Sequence, residues 1–99
     1  MQFVHRPGDP FAATATATAG TVLQVRLEPA GGYRWTTVTS TDPQIAQVTA
    51  TSADTSGAAT ATVTLRAPGT ASLTATTSYQ PDPHGPPTRL WRLTMTITP

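Results

Sequence analysis

The sequence predicts an all-β domain, an antiparallel β-sandwich of about seven strands. Three observations lead there. Apolar and polar residues alternate with a period of two along most of the chain, and helical periodicity is scarce. Threonine, whose branched Cβ suits a pleated surface, occurs 22 times among the 99 residues. Turn signals recur at short intervals, at Pro7-Gly8, Ala19-Gly20, Asp42-Pro43, Ser56-Gly57 and Pro68-Gly69, with longer runs at 29–32 and 81–87.

Each strand has its own pattern. Residues 11–18 alternate with alanine on one side, which gives a shallow core face. In residues 21–27, Leu23, Val25 and Leu27 share one face, with Gln24 and Arg26 on the other. In Tyr33-Arg34-Trp35, strand geometry sends Trp35 inward as the central core aromatic and Arg34 to solvent. Asp42-Pro43 would suit a capped helical turn, but residues 45–51 are read as a strand instead. Ala59, Ala61, Val63 and Leu65 alternate with threonines, and Ala71, Leu73 and Ala75 repeat the pattern after Pro68-Gly69. The last segment is the clearest: Trp91, Leu93, Met95 and Ile97 inward, Arg92, Thr94, Thr96 and Thr98 outward. About seven strands is the count of an immunoglobulin-like sandwich. Residues 1–10 read as a flexible leader and residues 11–99 as one domain. A second domain of ordinary size, roughly 100–150 residues, does not fit.

Composition narrows the function. Six Arg against five acids give a net charge of +1, and there is no Lys. That leaves no basic stripe for nucleic acid, and no apolar run reaches the roughly 20 residues of a membrane helix. The absence of Cys removes disulfides, zinc-thiolate sites and thiol catalysis together. The five acids are scattered, no serine sits in a hydrolase elbow, and Gly31-Gly32 lacks the strand–loop–helix setting of a phosphate loop. His5 and His84 lie in Pro/Gly-rich segments and are expected as solvated loop residues. Asp82 and His84 alone are too few to predict a metal. The expectation is a non-enzyme with no cofactor. The evenly spaced Thr14, Thr16 and Thr18 raise the idea of a water-ordering ladder, against the plainer reading of a solvent face.

One stretch is more specific. Glu28-Pro29-Ala30-Gly31-Gly32-Tyr33-Arg34-Trp35, preceded by a strand, resembles a segment of chagasin-like inhibitors of papain-like cysteine proteases. There a strand runs into Asn-Pro-Thr-Thr-Gly, then an aromatic, any residue, and Trp. The likeness continues through Ser56-Gly57-Ala58-Ala59-Thr60, through Leu65-Arg66-Ala67-Pro68-Gly69-Thr70-Ala71-Ser72-Leu73, and through a Pro-rich loop before a terminal strand. It covers about residues 19–98. The resemblance implies an immunoglobulin-like fold and three loops that plug a protease cleft from one end of the sandwich. They map onto residues 28–32, about 53–58 and about 79–87. Its implied contact residues are Glu28, Pro29, Ala30, Gly31, Gly32, Ser56, Gly57, Tyr79, Gln80 and Pro81.

This chain departs from the family pattern at several positions. Glu28, Ala30 and Gly31 replace the family's Asn and both Thr, and the third loop has Tyr79-Gln80-Pro81 in place of Arg-Pro-Trp. The run from Trp35 through Asp42-Pro43-Gln44-Ile45-Ala46, with Pro68-Gly69-Thr70-Ala71, also looks like bacterial Ig-like repeats of surface proteins. Two readings therefore stay open. One is a monomeric inhibitor with a cysteine-protease partner; the other is a structural or adhesive Ig-like module. Residues 1–7 hold no apolar signal core, so the chain is either cytoplasmic or begins after a removed signal; the second, secreted or at the cell surface, is the expectation.

Overall fold

The computed structural model describes residues 1–29, 33–79 and 89–99. Among them are nine strands and no helix: β1 (Gln2–His5), β2 (Ala12–Thr18), β3 (Val22–Leu27), β4 (Tyr33–Trp35), β5 (Thr39–Ser40), β6 (Ala46–Ala53), β7 (Ala59–Leu65), β8 (Gly69–Tyr79) and β9 (Arg89–Thr98). They form two sheets, ordered β1-β3-β7-β6 and β2-β9-β8-β4, with β5 also paired to β8. This is the expected all-β, immunoglobulin-like sandwich.

The alternation read from the sequence becomes the core. Leu23, Val25 and Leu27 face Trp91, Leu93, Met95 and Ile97 across the sandwich, in one cluster with Val63, Leu65 and Leu73. Burying such side chains contributes roughly 1.5–3 kcal/mol each. The small residues of β2 pack on the edge of this cluster, where Ala13, Ala15 and Ala17 are half-buried and Thr14, Thr16 and Thr18 are exposed. Strand β6 begins one residue later than expected and keeps no clean alternation. A bulge between Val48 and Ala50 shifts its register on β7, and residues beyond it are exposed. The strand expected here is present, and the helical turn weighed against it also exists, as one turn in front of the strand built on Asp42. Its side chain accepts from the Gln44 amide, its carbonyl accepts from the Ile45 and Ala46 amides, and β6 follows that single turn.

Two expectations are corrected. The sandwich is not purely antiparallel: β1 runs parallel to β3, and β2 runs parallel to β9. Nor do residues 1–10 lie outside it, because Gln2–His5 pairs residue for residue with Gln24–Leu27. The cause is the connection after His5, which carries the chain from the edge of one sheet to the edge of the other. β1 therefore rises with β3, and β2 descends with β9, its neighbour in space rather than in sequence. His5 changes with it. Strand pleating turns Phe3 and His5 inward, and His5 is 2% exposed rather than solvated.

Candidate functional site

The registers show which strand ends share an end of the sandwich. Leu27, where β3 stops, pairs with Ala59, where β7 starts. Ala53, the last residue of β6, also pairs with Ala59. Tyr33 at the start of β4 pairs with Tyr79 at the end of β8. His5 pairs with Leu27, and Thr77 pairs with Arg89. The ends of β3, β4, β6, β7, β8 and β9 that flank positions 28–32, 54–58 and 80–88 thus share one end of the sandwich. The β1–β2 connection, which the sequence did not suggest as part of any site, lies at the same end.

Of the expected contact residues, Glu28, Pro29, Ser56 and Gly57 are described, and Tyr79 is described through its backbone pairing. Ala30, Gly31, Gly32, Gln80 and Pro81 lie outside the described residues, as do Asp82 and His84. Glu28 is held on every side. Its amide donates to the His5 carbonyl at 2.8 Å, and its own carbonyl accepts from Trp35 Nε1 at 2.9 Å. Its carboxylate lies 3.6 Å from Arg26 Nε and 3.9 Å from Arg6 Nε. These pairs are largely exposed and add little stability, about 0–1 kcal/mol each. What they do is orient: the acid stands where the resemblance had Asn, clamped between two guanidinium groups.

Residues 54–58 form a second braced turn. Asp54 Oδ1 accepts from the Ser56 and Ala58 amides, at 2.9 and 3.2 Å, and from the Ser56 hydroxyl. The Ser56 side-chain hydrogen bond, chiefly, holds the Asp54 carboxyl below its ordinary value of 3.8; desolvation opposes the shift, and the two amides and Arg26 add to it. Gly57 sits at φ +95°, in left-handed space. A Cβ there would stand 3.0 Å from the Tyr33 carbonyl oxygen, 3.3 Å from Arg34 Cα and 3.4 Å from Pro29 Cβ. Glycine therefore lets the second turn lie directly on the first. The Trp35 amide closes the junction by donating to the Gly57 carbonyl at 3.0 Å. Arg34 Nη1 reaches the Asp54 carbonyl at 3.3 Å.

Beside this junction lies a pocket of about 400 Å³, walled by His5, Phe11, Tyr33, Trp35, Glu28 and Arg89, with the 7–9 turn and Thr77 completing it. The His5 and Phe11 rings are 5.0 Å apart, and Trp35 meets His5 edge-on at 5.5 Å. The Arg89 guanidinium lies 5.0 Å over the Phe11 ring. Phe11 and Arg89 could have been picked out only by knowing that the first strand belongs to the sandwich. Among the described residues no cluster of three or more His, Cys, Asp or Glu side chains is placed to hold a metal. No helix there is long and apolar enough to cross a membrane.

The architecture defines an immunoglobulin-like sandwich whose described segments 28–29 and 54–58 are packed together and braced at one end. No protein-family model matches the chain, and no curated protein matches it in sequence. Among solved structures, it is similar to the crystal structure of the cysteine protease inhibitor EhICP2 from Entamoeba histolytica. The TM-score is 0.54 at 14% identity, over 90% of this chain and 99% of that one. The resemblance to chagasin-like inhibitors, first visible around Pro29 and Trp35, thus holds at the level of the fold.

Proposed function

We propose that this chain is a non-catalytic inhibitor of papain-like cysteine proteases, docking into the protease cleft with the loop-bearing end. The observation that carries the reading is the packing of the 54–58 turn on the 28–29 segment. There Gly57 allows backbone contact with Tyr33 and Arg34, and Trp35 bonds to both segments. The fold it shares with a cysteine protease inhibitor supports the same reading. A wedge already braced by its own hydrogen bonds loses little conformational freedom on docking, which favours tight association. The inhibitor works by occupancy. Pro29, Gly57 and their neighbours present small side chains and main chain, so the wedge can approach a cleft closely, and the strands behind hold its shape. The described side chains of the wedge are braced within it: the Ser56 hydroxyl donates to Asp54, and Glu28 lies between two arginines.

The test is a titration of the purified chain into papain while cleavage of a fluorogenic peptide is followed. Stoichiometric loss of activity supports inhibition. Full activity at a micromolar excess overturns it for papain and moves the reading to an adhesive or structural Ig-like module.

A further inference from the structure

An outer strand of a sheet leaves half of its main-chain donors and acceptors unpaired, a template for another chain. Natural sheets blunt such edges by keeping them short, bulged, or interrupted by charge or proline. Among the described residues, three of the four edges of this sandwich are blunted. β1 has four residues, and the edge opposite β2 is split between the three residues of β4 and the two of β5. β6 carries the bulge between Val48 and Ala50. β2 has none of these devices. Its seven residues pair with β9 without a break in register, and residues 11–20 hold no charge and no proline.

The ladder shows which groups are free. The Phe11 carbonyl accepts from the Arg92 amide, and the Ala19 amide donates to the Thr98 carbonyl, both at 2.8 Å. Every second residue of a strand bonds the same neighbour, so residues 11, 13, 15, 17 and 19 turn their main chain to β9. Ala12, Thr14, Thr16 and Thr18 turn theirs outward, and all four are exposed. Of these outward groups only the Thr18 carbonyl has a described main-chain partner, the Thr21 amide at 3.2 Å.

What fits this edge is the strand itself. Ala13-Thr14-Ala15-Thr16-Ala17 reads the same in both directions. A second copy laid antiparallel about a two-fold axis at Ala15 sets Thr14 opposite the partner's Thr16 and Ala13 opposite the partner's Ala17. Thr14 and Thr16 of each copy, both turned outward, then exchange N–H···O bonds in both directions, as an antiparallel ladder requires. Opposed residues share a face, so threonine meets threonine on the solvent side. The half-buried alanines continue their row on the core side, where their small size leaves room for the partner.

We infer that this chain forms a two-fold dimer through β2, in which the β2-bearing sheets of both copies become one continuous sheet. This departs from the monomer expected from the sequence. Ala12 lies at the loop-bearing end of β2 and Thr18 at the other, so the two loop-bearing ends point in opposite directions and both stay open. The dimer therefore stands or falls independently of the docking reading.

The test needs no protease. Sedimentation of the purified chain between about 10 µM and about 1 mM should show a monomer–dimer equilibrium, because one strand edge buries too little for a permanent complex. Amide hydrogen exchange locates the contact. The Thr14 and Thr16 amides should slow several-fold as concentration rises, while those of Ala13 and Ala15, bonded to β9, are slow throughout. Thr16→Pro removes an outward N–H without touching the β9 ladder, a place where an edge tolerates proline. It should weaken the dimer about tenfold or more, since a bond is lost on each side of the axis. The exchange measurement uses the unaltered chain and decides even if that variant fails to fold. A monomer throughout the range, Thr14 and Thr16 exchange that ignores concentration, a folded Thr16→Pro chain that dimerises as tightly, or growth past the dimer would each overturn the inference.

Discussion

The two buried indoles provide a matched pair of perturbations. Trp35 is 4% exposed and Trp91 0%, so replacing either by phenylalanine shrinks a packed core side chain by a similar amount. The cavity cost is about 1 kcal/mol for a void of a few tens of Å³. The indole nitrogens differ. Trp35 Nε1 donates to the Glu28 carbonyl at 2.9 Å, whereas Trp91 Nε1 is buried with no partner among the described residues. Trp35→Phe therefore adds the loss of a hydrogen bond, about 1 kcal/mol, and totals about 2 kcal/mol. Trp91→Phe instead relieves an unpaired donor, which costs about 1–3 kcal/mol in the native protein, and its total should fall near zero or become stabilising. Urea unfolding of both variants, with unchanged m-values, measures the contrast. In a domain of this size about 2 kcal/mol corresponds to roughly 8–16 °C in Tm. Equal losses in the two variants would refute the idea that the Trp35–Glu28 bond is what separates them. Trp35→Ala, which empties the site, should cost about 3–5 kcal/mol.

Other perturbations address the braced end. Gly57→Ala combines left-handed backbone with a Cβ crowded by main chain, while Gly8→Ala has the same φ of +95° and open space around it. Gly8→Ala should cost about 1 kcal/mol and Gly57→Ala distinctly more, about 2–3 kcal/mol, in thermal melts; equal costs would mean that the Pro29–Gly57 packing is loose. The lowered Asp54 value also has a pH signature. A depressed carboxyl supports its turn above its ordinary 3.8, and that support is lost as pH falls through the lowered value. Amide shifts of Ser56 and Ala58 should titrate together with a midpoint below 3.8; a midpoint at or above it would mean that the Asp54 bonds are not formed in solution.

Most of the sandwich is legible in the sequence because its strands pay attention to one buried face at a time. β3, β7 and β9 alternate without interruption, and their inward residues are the ones that form the core. β6 is harder to read because its bulge breaks the period halfway along. β1 is hardest. Four residues with Val4 facing out and His5 facing in give a weak pattern, and the Pro7-Gly8 turn next to them looks like the end of a leader. Only pairing with β3 reveals the strand, and with it the parallel arrangement. The site follows the same logic. Gly57 announced a turn in the sequence, but not that its missing Cβ makes room for Pro29 and the Tyr33 backbone. Glu28 was legible as a departure from Asn; its role as a clamped brace depends on Arg6, which reaches it only because β1 belongs to the fold.

The central claim is that the loop-bearing end docks on a protease, and mapping the contact surface tests it most directly. Papain blocked at its active cysteine would be added to isotope-labelled chain, and amide signals followed by NMR. Docking by the loop-bearing end predicts protection and shifts at Pro29's neighbours, at Ser56 and Gly57 and at Arg89, with the opposite turns at Gly20 and Ala67 unchanged. Perturbation centred on Gly20 and Ala67, or no perturbation at saturating papain, would contradict it.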